Sequence, residues 1–191
     1  MSFPSFADFK NGNLDLQLQL LELLFERSSS LESITLKNPD FMNHIGSDYA
    51  SFVEKVRTGL HSLCHRAIRG DPEAKNHLSN IIAAHPKLGQ PKQKLSAHSA
   101  HEQRNLGNSD SKEILETLNV LNTRYEARYP GLRFVVFVNG RPRPEIIQVL
   151  QQRIESGNSW SEEARVACNE MCDIALDRIH KTQIPPSTHK L

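Results

Sequence analysis

The chain has 191 residues, a formal net charge of +1, 38% hydrophobic residues and a mean hydropathy of -0.50. That length suits one domain with polar connections, and the near balance of charge excludes a general electrostatic pull toward nucleic acid or acidic membranes. No run of about eighteen apolar residues is present to span a bilayer, and the N-terminus lacks the basic-then-apolar order of a secretory signal. Cys64, Cys168 and Cys172 are an odd set with no C-x-x-C pair, which fits a reducing compartment and no disulfide framework. Cys168 and Cys172, four apart, share a helix face and read as small buried apolar residues.

Residues 14–27 alternate at first like a strand. The following LLELLF is too continuously apolar for a half-exposed strand, and Leu14, Leu18, Leu21 and Phe25 fit a helical stripe. The serines at 28–30 break that helix, residues 31–36 are expected to form a short second one, and Asn38-Pro39-Asp40 is a turn. Residues 47–69 form a clear helix with Phe52, Val56, Leu60, Leu63 and Ala67 on its buried face, ended by Gly70. Asp71 then caps a helix that has Pro72 at its first position, and Ala74, Leu78, Ile81 and Ile82 carry the pattern to His85. A residue before proline is pushed out of the α region, so Pro86 stops the helix and leaves His85 at its end, with the imidazole expected to point away from the barrel of that helix.

Residues 87–97 are a polar connection with Gly89 and Pro91, of a kind often mobile beside a site. Ser99-Ala100-His101-Glu102-Gln103 begins another apolar-spaced segment; if helical, it sets Ser99, Glu102 and Gln103 on one face. Asp110 and Glu113 read as a capping box for a helix with Ile114, Leu118, Leu121 and Tyr125 inward, stopped at Tyr129-Pro130-Gly131. Residues 134–138, FVVFV, are the one strong β-like run. A single run cannot build a sheet, so a buried extended segment is expected, and its backbone N–H and C=O groups need partners; a ligand rich in amide groups would supply them. Pro144 opens a helix with Ile146, Ile147, Leu150 and Ile154 inward. Ser161-Glu162-Glu163 starts the last one, with Ala164, Ala167, Met171, Ile174 and Ala175 inward, and Arg178 extends that inner stripe. The expected fold is all-α: a single-domain multi-helix bundle over residues 1–183 with one short buried extended segment at 134–138, followed by a flexible tail over 184–191.

Several constellations carry two readings. His85 is a general acid or base, since imidazole titrates near neutrality, or it merely ends a helix. Arg178 on an apolar stripe needs a partner, because a buried guanidinium is costly unless paired; a ligand or a structural salt bridge, for instance to Glu102, would serve, and Glu102 has the same two readings. His98 and His101 with Glu102, and His61 with His65, lack the further ligands that zinc requires, so no metal site is expected. Lys87, Lys92 and Lys94 read as a solvated loop, and no Walker or dinucleotide glycine pattern is present.

Taken in order, six pieces make the chain resemble a known family: Leu24-Phe25-Glu26-Arg27-Ser28, His85-Pro86-Lys87-Leu88-Gly89, Ser99-x-x-Glu102-Gln103, Leu121-Asn122-x-x-Tyr125, Phe134-Val135-Val136, and Ile174-Ala175-x-x-Arg178-Ile179. It is the 2-oxo-4-hydroxy-4-carboxy-5-ureidoimidazoline (OHCU) decarboxylases, which act in the degradation of urate to allantoin, and the likeness runs over residues 14–179. The family usually has H-P-D-L-A-G; here Lys87 replaces the acid and the small residue before Gly89 is missing. Ser28 lacks a following proline, and Leu132-Arg133 lengthen the approach to Phe134.

The resemblance implies an all-helical fold, no cofactor, and conversion of the ureidoimidazoline to (S)-allantoin with release of carbon dioxide. It implies His85 as proton donor with Glu102 and Arg178 beside it. It also implies that Pro86, Ser99, Ala100, His101, Gln103, Phe134, Val135, Val136, Phe137 and Val138 line the substrate site. The implied partner is a small molecule, with no nucleic acid and no membrane; a homodimer is compatible with this. The competing class is a non-catalytic helical interaction module on the same scaffold, which would have no reason to keep His85, Glu102 and Arg178 together. The final His189-Lys190-Leu191 differs from the S-K-L peroxisomal address at one position, so peroxisome and cytoplasm are the expected locations.

Overall fold

The computed structural model describes residues 3–89 and 111–183. Every regular element among them is a helix: α1 (Phe6–Asn11), α2 (Leu14–Phe25), α3 (Ser29–Ile34), α4 (Pro39–Met42), α5 (Tyr49–Ile68), α6 (Pro72–Ala83), α7 (Lys112–Arg128), α8 (Arg143–Glu155) and α9 (Trp160–Gln183). The all-α expectation holds. The tail at 184–191 and the segment around residues 99–103 lie outside the described residues.

Local chemistry explains most helix starts. The side chains of Ser5, Asn13, Ser28, Asn38, Asp48, Asp71 and Ser111 each accept a hydrogen bond from a backbone N–H of the first turn, meeting donors that the helix itself leaves unpaired. Several of these refine the sequence reading. The serine run is a cap rather than a break: Ser28 caps α3, which therefore starts two residues earlier than expected. The start of α7 is capped by Ser111, which accepts from Ile114; Asp110, expected in that role, is outside the described residues. Pro144 sits one place inside α8 behind Arg143. α9 begins at Trp160, before the expected Ser161, with Ser159 and Glu162 in reciprocal hydrogen bonds at 2.8 and 3.3 Å, the arrangement of a capping box.

α9 is the organising helix. Its 24 residues extend about 36 Å at 1.5 Å per residue, and it packs along α5 and against α2 and α6, while α5 packs on α6 and α7 on α8. Its buried stripe, Ala164, Ala167, Cys168, Met171, Cys172, Ala175 and Ile179, is mostly small, which lets α5 approach with Phe52, Val56, Leu60 and Leu63 buried against the core. The three cysteines are free and buried within it; burial pushes the Cys172 thiol up to about 12, so it stays a neutral apolar group.

α2 departs from its expected stripe. Leu14 is 44% exposed, and the buried residues are Gln17, Leu20, Leu21, Leu24 and Phe25. Eight of the twelve residues in α2 are Leu or Phe, so apolar spacing does not select one face, and contact with α9 and α1 does.

Phe134, Val135 and Val136 are buried and Phe137 and Val138 half-buried in an extended stretch between α7 and α8. The partners of its backbone are partly side chains of the protein. Arg153 Nη1 donates to the Val135 carbonyl at 2.6 Å, Arg141 Nη2 donates to the Phe137 carbonyl, and the Phe137 N–H donates to Glu170. For these three groups the protein takes the role that the sequence reading assigned to a ligand.

The same Arg153 joins three helices. Its Nε donates to Glu163 Oε1 at 2.6 Å, Tyr125 Oη donates to the same oxygen at 2.6 Å, and Asn158 Nδ2 donates to Oε2 at 3.2 Å. Glu163 is fully buried, and burying one charge without the other is far costlier than burying the pair. Glu163→Ala is therefore expected to destabilise the fold by about 3–5 kcal/mol, measured by urea unfolding; a loss under about 1 kcal/mol, the size of an exposed ion pair, would show that Arg153 finds compensation elsewhere.

Candidate active site

His85 stands where α6 stops. Its N–H donates to the Ile82 carbonyl at 3.2 Å, the last turn before Pro86, which offers no N–H and cannot continue the helix. The imidazole at this helix end is buried. His85 is 4% exposed, and its Nε2 is a buried atom with no hydrogen-bond partner among the described residues. Such orphans are rare in folded proteins. The residue's carbonyl accepts from Arg133 Nη1.

The loop after His85 is tied to α7. Lys87 Nζ lies 2.7 Å from the Glu126 carboxylate, and Asn122 Nδ2 donates to the Leu88 carbonyl at 3.0 Å. Gly89 has φ +80°, and a Cβ there would meet Leu118 Cδ1 at 3.0 Å, so both the backbone conformation and the closeness of α7 demand glycine.

Arg178 reaches the site from α9. It is 2% exposed. Its Nη1 donates to the carbonyls of Leu23 and Leu24 at 3.0 and 3.2 Å, and Nη2 donates to Glu26 Oε1 at 3.1 Å. A guanidinium at the C-terminal end of α2 meets carbonyls that the helix leaves unpaired and the negative end of its dipole. Glu26 follows α2 directly with φ 64°, a left-handed conformation uncommon outside glycine, and this turns its carboxylate toward Arg178. The described carboxylate against Arg178 is thus Glu26; Glu102, the partner suggested by the sequence, lies outside the described residues.

The structure brings His85 within the electrostatic field of Arg178 and Arg133. Burial first, and then the positive charges of Arg178 and Arg133, push the His85 imidazole down to about 3, so the side chain is neutral at pH 7. Pro86 is half-buried and Phe134, Val135 and Val136 are buried. Ser99, Ala100, His101, Glu102 and Gln103 lie outside the described residues. Among the described residues no group of three or more His, Cys, Asp or Glu could hold a metal, and His61 instead pairs with Asn169 at 2.8 Å. A cleft of about 270 Å³ lies between α2 and α3, with Glu26 in its wall beside Asp15, Glu22 and Glu32; neither His85 nor Arg178 lines it. Two residues given no site role by sequence reasoning thus adjoin the predicted ones. Glu26 was visible only within the Leu24–Phe25–Glu26 piece, and Arg133 only as a loop difference.

Residues 13–180 match the OHCU decarboxylase family. The chain belongs to that family. It is 27% identical over 165 residues to the uric acid degradation bifunctional protein of Bacillus sp. (strain TB-90), a match that covers 86% of this chain and 29% of that protein. Its fold is similar to the crystal structure of (S)-allantoin synthase, with a TM-score of 0.61 and 17% identity, over 94% of this chain and 54% of the other. The chain therefore spans less than two thirds of both relatives. At that identity the structural likeness speaks for the helical fold alone.

A depressed imidazole makes stability depend on pH. The unfolded chain binds a proton at His85 below about 6.5 and the folded chain only below about 3, so the stabilising contribution is complete above pH 6.5 and is lost as the pH falls through that window. Its slope is at most about 1.4 kcal/mol per pH unit. Urea unfolding between pH 6.5 and 4 should be less steeply acid-sensitive in His85→Asn than in the wild type; identical slopes would mean that the imidazole protonates freely in the folded state.

Proposed function

We propose that the chain decarboxylates 2-oxo-4-hydroxy-4-carboxy-5-ureidoimidazoline to (S)-allantoin and carbon dioxide without a cofactor, and that His85 delivers the proton. The observation that carries this reading is the buried imidazole with an unpartnered Nε2 near Arg178. Membership of the family supports it. An interaction-only scaffold gains nothing from an orphaned buried nitrogen, whose desolvation costs about 1–3 kcal/mol, whereas a proton-transfer site uses an atom left open for a ligand.

In the reaction the bond between ring carbon and carboxylate breaks, carbon dioxide leaves, and the electron pair stays on the ring, delocalised into its conjugated carbonyl and imine. One proton then forms the new C–H bond. His85 is neutral because it is buried and, after that, because Arg178 and Arg133 act on it. A carboxylate-bearing substrate offsets those positive charges, and a nearby anion favours the protonated imidazole, so the proton and the substrate would load together. Delivery from one fixed side gives one enantiomer. Arg178, held by Leu23, Leu24 and Glu26, accelerates the step only through contacts that strengthen as charge moves. It is better used on a ring or ureido oxygen that gains charge than on the departing carboxylate.

Glu102 and Gln103 would fix the N–H and C=O edges of the ring, with Ser99, Ala100, His101, Pro86 and the backbone of residues 134–138 as the remaining contacts. Peroxisome and cytoplasm are both compatible with this reading; a fluorescent protein ending in His189-Lys190-Leu191 that stays in the cytosol would remove the first.

The direct test is incubation with the freshly made product of urate oxidation while the optical activity of the allantoin is followed. His85→Asn is expected to fold and to lose about 10²–10⁴ in kcat, the usual value of a positioned acid. Near-wild-type turnover in that variant would take His85 out of the mechanism.

A further inference from the structure

The chain departs from H-P-D-L-A-G at Lys87, and the structure pairs that lysine with α7. Lys87 Nζ lies 2.7 Å from both Oε1 and Oε2 of Glu126. We propose that the Lys87–Glu126 ion pair is a positioning clamp for the His85 imidazole. The inference rests on the proposed role of His85.

Among the described residues no hydrogen bond at Nε2 orients the imidazole, so its direction comes from its backbone and packing. The segment is held at three points, two through backbone carbonyls and one through a side chain. Arg133 binds the His85 carbonyl, Glu126 binds the Lys87 side chain, and Asn122 binds the Leu88 carbonyl. Pro86 stiffens the link between the first two by locking its own φ. Glu126 and Asn122 are four apart on α7 and so project from the same face. α7 is itself anchored, because Tyr125 donates to the buried Glu163 at 2.6 Å.

The sign of the charges matters. The Glu126 carboxylate acts electrostatically on Arg133 as well as pairing with Lys87, so it is an anion serving two cations that hold neighbouring parts of one loop. An acid at position 87 would face Glu126 and push the loop off α7, since like charges in contact repel about as strongly as opposite ones attract. The lysine is therefore matched to residue 126. The pair is partly exposed, with side-chain exposures of 22% and 33%; it can tune position without being essential to folding.

The test is a charge exchange. Lys87→Asp and Glu126→Lys are each expected to lower kcat about ten- to a hundredfold, the effect of moving a catalytic group by a fraction of an ångström to an ångström, with KM changed by less than about threefold. Each is also expected to speed amide hydrogen exchange at His85 and in residues 87–89. The double variant restores an opposite pair at 87 and 126 while setting a lysine near Arg133, so kcat and exchange should both recover to values clearly closer to the wild type than in either single variant, the signature of a direct coupling. Singles that leave both readouts unchanged overturn the clamp. So does a folded double variant that recovers neither, or one whose exchange recovers while kcat does not. If the wild-type chain itself fails to turn over the ureidoimidazoline, the proposed function falls and no positioning role for His85 survives; the exchange data then report separately whether the pair holds the loop.

Discussion

A single buried guanidinium ties this molecule together. Arg178, on the last helix, docks onto the end of the second helix, donating to Leu23, Leu24 and Glu26. These partners lie 152 to 155 residues away in sequence, so the contact closes the N-terminal part of the chain onto the C-terminal part. A buried cation is tolerated only when its hydrogen bonds are met, and that demand explains the unusual features around it. Glu26 takes a left-handed conformation, and α2 ends with carbonyls directed at Arg178 rather than at water.

A second buried charge sits near the other end of α9. Glu163, in its first turn, receives Arg153 from α8 and Tyr125 from α7. A carboxylate at the start of a helix and a cation toward its finish both agree with the helix dipole. α9 thus carries one buried ionic contact toward each end and a stripe of small residues between them. The Glu163 network sets α7, α8 and the extended stretch at 134–138, and the Arg178 network sets α2. The His85 loop lies where these two halves meet. Its imidazole is buried, close to positive charge and, among the described residues, without a partner at Nε2, which makes it neutral and suits it to a neighbouring anion.

Much of the helical plan was legible along the chain. Asp71-Pro72 marks the start of α6 and Pro86 its end, because a cap and two prolines act through local backbone geometry. The inward residues of α6, Ala74, Leu78, Ile81 and Ile82, were read directly from their spacing and are all buried. α2 was not readable in this way, since leucine occurs on several of its faces. The extended run at 134–138 is legible as buried, which holds for Phe134, Val135 and Val136, but not that Arg153, Arg141 and Glu170 serve its backbone, because those pairings cross between elements.

For the site the division is sharper. Sequence alone determined that the chain is all-helical, that His85 ends a helix before a proline, and that Arg178 falls on an inward face. These are matters of period, capping and φ, which act over a few residues. Only the tertiary structure decided that the imidazole is buried and neutral, that Glu26 stands against Arg178, and that Lys87 finds an acid on α7. Burial and charge pairing depend on which distant surfaces meet, and no local pattern carries that information.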